Sequence, residues 1–236
     1  MLELRDLVKH YEDGTREPIR AVDGVSLTIE SGNLVALYGP SGSGKTTLLN
    51  LIARVVPADS GSIWVAGRNV CEMSRKEEDH YRLHQVGLVG QHDHLIRGAT
   101  AIKNANVRLL FAGELKTRPI EPLLERLELA DCLNRKMHEL SSGQRQRVMI
   151  AAALSTDPKL ILADEPTGSL DTERTQMVLS LLRELCRERK VAILIATHDP
   201  QAALFADQVY QLRDGRLGEY TPPAVVPLPS ATQDQR

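Results

Sequence analysis

Gly39-Pro40-Ser41-Gly42-Ser43-Gly44-Lys45-Thr46 is the stretch that decides how this chain must be read. Two glycines five residues apart are followed by Lys and Thr, the spacing of a phosphate-binding loop. An apolar run from Asn33 to Tyr38 precedes it, and Leu48, Leu49, Leu51 and Ile52 follow at helical spacing, so the glycines lie between a strand and a helix. Glycines let the backbone curl until successive N–H groups point inward, and the helix N-terminus adds partial positive charge. Such a nest suits a di- or triphosphate. Lys45 is placed to reach the outer phosphates, and Thr46 to offer a hydroxyl to Mg²⁺, a hard cation that prefers oxygen ligands.

Outward from the loop, three strand ends carry polar residues. Lys159 to Glu165 is an apolar strand closing on two acids, and in open α/β sheets ligands gather at the carboxyl ends of strands. Asp164 then holds Mg²⁺ through its water shell, and Glu165 polarises the attacking water. Val86 to Gly90 runs into Gln91, which is either a surface amide or a group that ligates Mg²⁺ or holds that water. Val191 to Thr197 runs into His198, which either caps its own loop or senses a γ-phosphate. Residues 2 to 8 and 20 to 30 read as an antiparallel layer, with Tyr11 in their connection, either packed or stacked on a base.

From about 99 to 157 the pattern is helical, with Ile120, Leu123, Leu124 and Leu127 on one stripe and Val148, Ile150, Ala151 and Leu154 on another. Leu140-Ser141-Ser142-Gly143-Gln144 precedes the second stripe, with Ser141 as its N-cap and small residues exposing a second helix start. Pro166 and Gly168 turn the chain, Ser169-Leu170-Asp171 caps a long helix, and Asp214-Gly215 turns a final hairpin within 207 to 220. The tail from Thr221, rich in Pro, reads as mobile.

A net charge of -2 and the lack of a basic patch argue against nucleic acid as a ligand. The three cysteines, Cys71, Cys132 and Cys186, are far apart, as in a reducing compartment. No stretch approaches eighteen uncharged apolar residues, so any membrane role is expected through a partner. The histidine pairs His80 with His84 and His92 with His94 lack a third ligand fixed by sequence and read as surface residues.

Taken together and in order, the phosphate loop, Gln91, the Leu140 to Gln144 signature, Asp164-Glu165, Ser169-Leu170-Asp171 and His198 resemble the ATP-binding-cassette (ABC) ATPases over about residues 2 to 220. The run from Ala163 to Asp171 looks most like the lipoprotein-release and macrolide-export branch. The resemblance implies an α/β fold with a P-loop NTPase core, a mixed sheet with an antiparallel β layer, plus an α-helical subdomain. It implies one domain, residues 1–220, with a core lobe at about 1–90 and 159–220 and a helical lobe at about 91–158, then the tail 221–236. It implies ATP and Mg²⁺ as ligands, held by Gly39, Pro40, Ser41, Gly42, Ser43, Gly44, Lys45, Thr46 and Thr47, with Tyr11 packed on adenine and Thr46, Gln91 and Asp164 at the metal. Glu165, His198 and Gln91 are then the catalytic set, and Ser141, Ser142, Gly143, Gln144 and Asp171 meet nucleotide across a homodimer. The implied partner is a separately encoded membrane permease, and the implied location is cytoplasmic, on the inner face of the cell membrane.

Three residues depart from the family pattern: Ser142 replaces the first glycine of the usual Leu-Ser-Gly-Gly-Gln, Gly90 replaces an aromatic, and Ala152 an arginine. The last two affect coupling more than nucleotide binding. Rival readings are a cassette that transmits force to a membrane partner without moving substrate, a soluble cassette acting on ribosomes or DNA, and a binding-only subunit. Paired cassettes or zinc modules would mark the second rival, and neither occurs; the set Lys45, Asp164, Glu165 and His198 argues against the third.

Overall fold

The structure, a computed structural model, describes residues 1–12, 14, 18–90, 95–168 and 170–220. Gln91, His92, His94, Ser169 and the tail 221–236 lie outside the described residues. Alternating apolar residues make β1 (Leu2–Tyr11) and β2 (Ile19–Ile29) an antiparallel pair that buries Leu2, Leu4, Leu7, Val22, Val25 and Ile29. Tyr11 is paired with Ile19, so it ends a strand instead of lying in the connection read from sequence. The apolar run before the phosphate loop is β3 (Leu34–Tyr38), and the loop opens α1 (Lys45–Ile52).

Next, β4 (Ser60–Val65) and β5 (Arg68–Asn69) complete an antiparallel sheet of order β2-β1-β4-β5. Helix α2 (Arg75–His84) begins where the Ser74 amide and hydroxyl both donate to the Glu77 carboxylate, at 2.8 and 2.7 Å. It hands over to β6 (Val86–Val89), a junction closed by Arg108, whose Nη2 donates to the carbonyls of Arg82, Leu83 and Val86. Burial lowers the pKa of that guanidinium to about 10.

The helices α3 (Ala101–Ala105), α4 (Val107–Ala112), α5 (Glu121–Arg126) and α6 (Ser142–Leu154) intervene before β7 (Leu160–Asp164). Then come α7 (Thr172–Arg189), β8 (Ala192–Thr197), the short α8 (Ala202–Phe205) and the hairpin β9 (Gln208–Arg213) and β10 (Arg216–Glu219). Asp214 and Gly215 both take positive φ, 49 and 76°, as a tight two-residue hairpin turn requires.

The second sheet has the order β10-β9-β3-β8-β7-β6 and is parallel except for its terminal hairpin. Its central strands β3, β8 and β7 are apolar up to their last residue because both faces are covered. Leu160, Leu162, Leu194 and Ala196 enter a core shared with α1 and the antiparallel sheet, while Ile161, Ala163, Ile193 and Ile195 enter a core shared with α6 and α7. This is the mixed α/β arrangement with an antiparallel layer and added helices that the sequence leads one to expect. Since β3, β8 and β7 are parallel neighbours, their carboxyl ends bring the phosphate loop, His198 and Glu165 to one sheet edge.

Candidate nucleotide site

The loop's shape is enforced by neighbours far away in sequence. Gly44 N-caps α1 at φ +104°, and a Cβ there would lie 1.9 Å from the Ala21 carbonyl oxygen. A Cβ on Gly39 would lie 2.3 Å from the Leu212 carbonyl oxygen. The hairpin braces the loop as well, because the Gly215 amide donates to the Ser43 carbonyl at 3.2 Å. Pro40 to Thr47 then line a cleft of about 880 Å³, bordered by Tyr11, Ile19 to Ala21, Asp164, Glu165, His198 and the Asp214-Gly215 turn. Gly39 does not line the cleft, but its carbonyl accepts from the Lys45 ammonium.

Lys45 is 7% exposed, and its ammonium donates to the carbonyls of Gly39 at 2.7 Å and Pro40 at 3.0 Å. The sequence reading aims this group at outer phosphates; here it rests on the loop's own carbonyls, because a buried cation needs acceptors whatever is bound. Its nearest carboxylate oxygen is Glu165 Oε1, at 3.9 Å. Thr46 Oγ1 donates to Asp164 Oδ2 at 2.8 Å, which sets two hard oxygens side by side.

Glu165 leaves the strand at φ +48°, a conformation that costs a non-glycine residue roughly 1–3 kcal/mol and that concentrates at functional sites. The turn swings its carboxylate against β8, where Oε1 lies 2.8 Å from His198 Nδ1 and Oε2 accepts from Thr197 Oγ1 at 3.0 Å. His198 is otherwise open to the cleft, 65% exposed. Thr197, 1% exposed, also accepts the Asp199 amide at 3.0 Å, and sequence reasoning missed it. The available signal was a polar residue ending the otherwise apolar Val191 to Ala196 run.

The signature stands apart from this cleft. Ser141 N-caps α6, accepting from the Gln144 amide at 3.2 Å, while Gln144 Oε1 accepts from the Ser141 amide at 3.0 Å. Ser142 is the first helical residue, Gly143 is buried behind it, and the first turn carries no acid. Asp171 N-caps α7. Within one chain, none of Ser141, Ser142, Gly143, Gln144 or Asp171 lines the cleft that the phosphate loop forms. Gln91 is outside the described residues. Tyr11 borders the cleft at 37% exposure, with Lys9 Nζ 5.3 Å from its ring centroid.

The residues present fit a polyphosphate and a magnesium ion. Among the described residues, Ser43 Oγ is buried in the loop with no hydrogen-bond partner. The Lys45 ammonium already points its charge at the loop's interior, and the Thr46 and Asp164 oxygens are of the hard type that Mg²⁺ takes alongside phosphate and water.

The family model described as ABC transporter matches residues 22–168. The lipoprotein-releasing system ATP-binding protein LolD 2 of Chlorobaculum tepidum is 40% identical over 226 residues, covering 92% of this chain and 91% of that protein. LolD of Alcanivorax borkumensis is 41% identical over 221 residues, covering 92% and 96%. The macrolide export ATP-binding/permease protein MacB of Escherichia coli is 40% identical over 228 residues, covering 95% of this chain and 35% of that protein. Among solved structures, the dimeric bacterial ABC transporter cassette MJ0796 superposes with a TM-score of 0.83 at 34% identity, covering 93% of this chain and 98% of that one. The same cassette as a dimer in a post-hydrolysis state bound to ADP and Pi gives 0.82 at 33% identity, with the same coverage.

Proposed function

This chain belongs to the ABC transporter family as an ATP-binding, ATP-hydrolysing subunit, and from that premise we propose that ATP closes two copies on each other to drive a separately encoded membrane permease. The observation that carries this reading is the separation within one chain of the signature helix start from the phosphate-loop cleft. A capped helix start free of acids is suited to a γ-phosphate, and in the closed dimer it meets the one held by the second copy.

Each residue then has a task. Phosphates settle into the amides of the loop, and Lys45 exchanges its two carbonyl acceptors for phosphate oxygens. Thr46 and Asp164, with Gln91, hold Mg²⁺, which when bound neutralises charge developing on the β- and γ-phosphates. Tyr11 packs on the base at the cleft's border. Glu165 orients the attacking water and takes its proton as the bond from the γ-phosphorus to the ADP oxygen breaks. Thr197 and His198 hold that carboxylate in place, and the exposed face of the His198 ring meets the γ-phosphate.

No described helix is long and apolar enough to cross a membrane. We place the subunit on the inner face of the cell membrane, docked through an apolar groove of about 470 Å³ between α2, α4 and α6 that includes Leu88, Val107 and the 76%-exposed Phe111. The relatives' names speak of lipoprotein release and of macrolide export, and we extend them to export, or extrusion of a lipoprotein, lipid or peptide, as the work done.

Glu165→Gln tests the core of this reading. The variant should bind ATP, hardly turn it over, and accumulate an ATP-dependent dimer by gel filtration, since hydrolysis no longer ends the closed state. Turnover within a few-fold of the parent would move the catalytic role elsewhere, and copurification without any membrane protein would remove the permease.

A further inference from the structure

Gly143 lies in the first turn of α6, and a side-chain carbon built on it would meet Cδ of Arg174 at 3.5 Å. Arg174 lies in the first turn of α7, three residues after its cap Asp171, so the arginine's aliphatic stem covers the signature glycine. Its backbone amide donates to Asp171 Oδ1 at 2.9 Å, and its Nη1 is 3.4 Å from Asp171 Oδ2. Both side chains are more than half exposed, at 52 and 57%, and an ion pair so placed holds its members weakly. Two other arginines beside the signature are committed: Arg145 Nη1 donates to the Leu140 carbonyl at 2.6 Å, and Arg147 Nη1 to Glu128 at 2.5 Å. Arg174 does not line its own chain's nucleotide cleft.

We propose that Arg174 is a positioning residue of the closed dimer, its stem propping the start of α6 at Gly143 and its guanidinium adding positive charge where the second copy's γ-phosphate arrives. This rests on the cross-dimer reading above. In the separate subunit Asp171 shares the guanidinium; on closure a multiply charged phosphate competes with one exposed carboxylate for it. The helix start and the arginine act with the same sign, so their fields add.

The test uses the full chain carrying Glu165→Gln, so that dimers persist, with Arg174→Gln or Arg174→Lys added. Sedimentation gives the dimer dissociation constant in MgATP over a range of salt, and a fluorescent ATP analogue reports affinity in the monomer. Each dimer holds two such arginines, so Arg174→Gln should weaken dimerisation about tenfold and flatten its salt dependence, while monomer affinity stays within about twofold. Arg174→Lys, keeping charge and most of the stem, should return dimerisation to within about threefold. Unchanged dimerisation of Arg174→Gln would overturn the proposal, as would an Arg174→Lys that is as weak as Arg174→Gln. A Glu165→Gln parent that stays monomeric in saturating MgATP is a different result: it removes the cross-dimer reading itself, and Arg174 with it.

Discussion

Replacing Thr197 with valine keeps the outline of a 1%-exposed side chain and deletes one hydroxyl. That hydroxyl donates to Glu165 Oε2 at 3.0 Å and accepts the Asp199 amide at 3.0 Å. A hydrogen bond to a charged group contributes about 1.5–3 kcal/mol. Glu165 keeps His198 Nδ1 at 2.8 Å and Lys45 Nζ at 3.9 Å, so the carboxylate is loosened and not released, and the lower end applies. About 1.5 kcal/mol in the barrier is roughly a tenfold loss of kcat. The Asp199 amide loses an acceptor as well, worth about 1 kcal/mol of stability. That corresponds to a Tm lower by about 2–4 °C for a chain of this size. Steady-state hydrolysis by the assembled complex, ATP affinity by calorimetry and a thermal melt measure the three quantities. Affinity should hold within about twofold, because the hydroxyl touches no residue of the phosphate loop. Thr197→Ser should recover most of the rate, since it restores the donor. A Thr197→Val enzyme with kcat within twofold of the parent, or a Thr197→Ser enzyme as slow as Thr197→Val, would refute the positioning argument.

Lys45→Ala should weaken ATP binding by about 1.5–3 kcal/mol, tenfold or more, and abolish hydrolysis; near-normal calorimetric affinity would place the phosphates elsewhere. Ser142→Gly should change hydrolysis by less than about tenfold because a helix start tolerates serine, whereas Ser142→Arg should block dimer closure and spare ATP binding. Wild-type hydrolysis by Ser142→Arg in the assembled complex would mean that the signature faces no nucleotide. Glu77 is held down to about 2, chiefly by the Ser74 hydroxyl, then by the Ser74 amide and Arg68, against an ordinary value of 4.5. Its charge therefore supports α2 fully above about pH 4.5, and that support is lost as pH falls toward about 2. Ser74→Ala should raise the Glu77 titration seen by NMR and move acid unfolding to higher pH, and an unmoved titration would dispose of the cap.

What could be read from the chain was local. The phosphate loop, the hairpin at Asp214-Gly215 and the caps Ser141 and Asp171 each rest on residues within a few positions of one another. The apolar strands announced themselves by composition, since a parallel strand covered on both faces has no polar side to show. What escaped the reading depends on distant partners. Thr197 acquires its meaning from Glu165, just past the end of the neighbouring strand, and the resting place of Lys45 follows from the close approach of backbone carbonyls that no spacing rule describes. The alternation in the sequence puts Tyr11 in the connection, one element too late, because the strand continues past its clearly alternating part through the pairing of His10 and Tyr11 with Arg20 and Ile19. The signature is the instructive case: its cap is legible in the residues themselves, whereas its separation from the cleft is implied only by the family resemblance, since it depends on how the helices between β6 and β7 pack.

The close approach of Ala21 and Leu212 to Gly44 and Gly39 also bears on how the chain acquires its shape. A loop clasped by β2 on one side and β9, the first strand of the final hairpin, on the other has no native conformation until both ends of the described chain have come home. Nucleotide affinity should then emerge late in folding, and all at once, as a property of the finished sheet edge. Once it has emerged, ATP acts as a folding ligand: at a hundredfold excess over its dissociation constant it deepens the native well by about 2.7 kcal/mol. Freshly made subunits in a cell rich in ATP would for that reason be held folded by their own substrate before any partner reaches them.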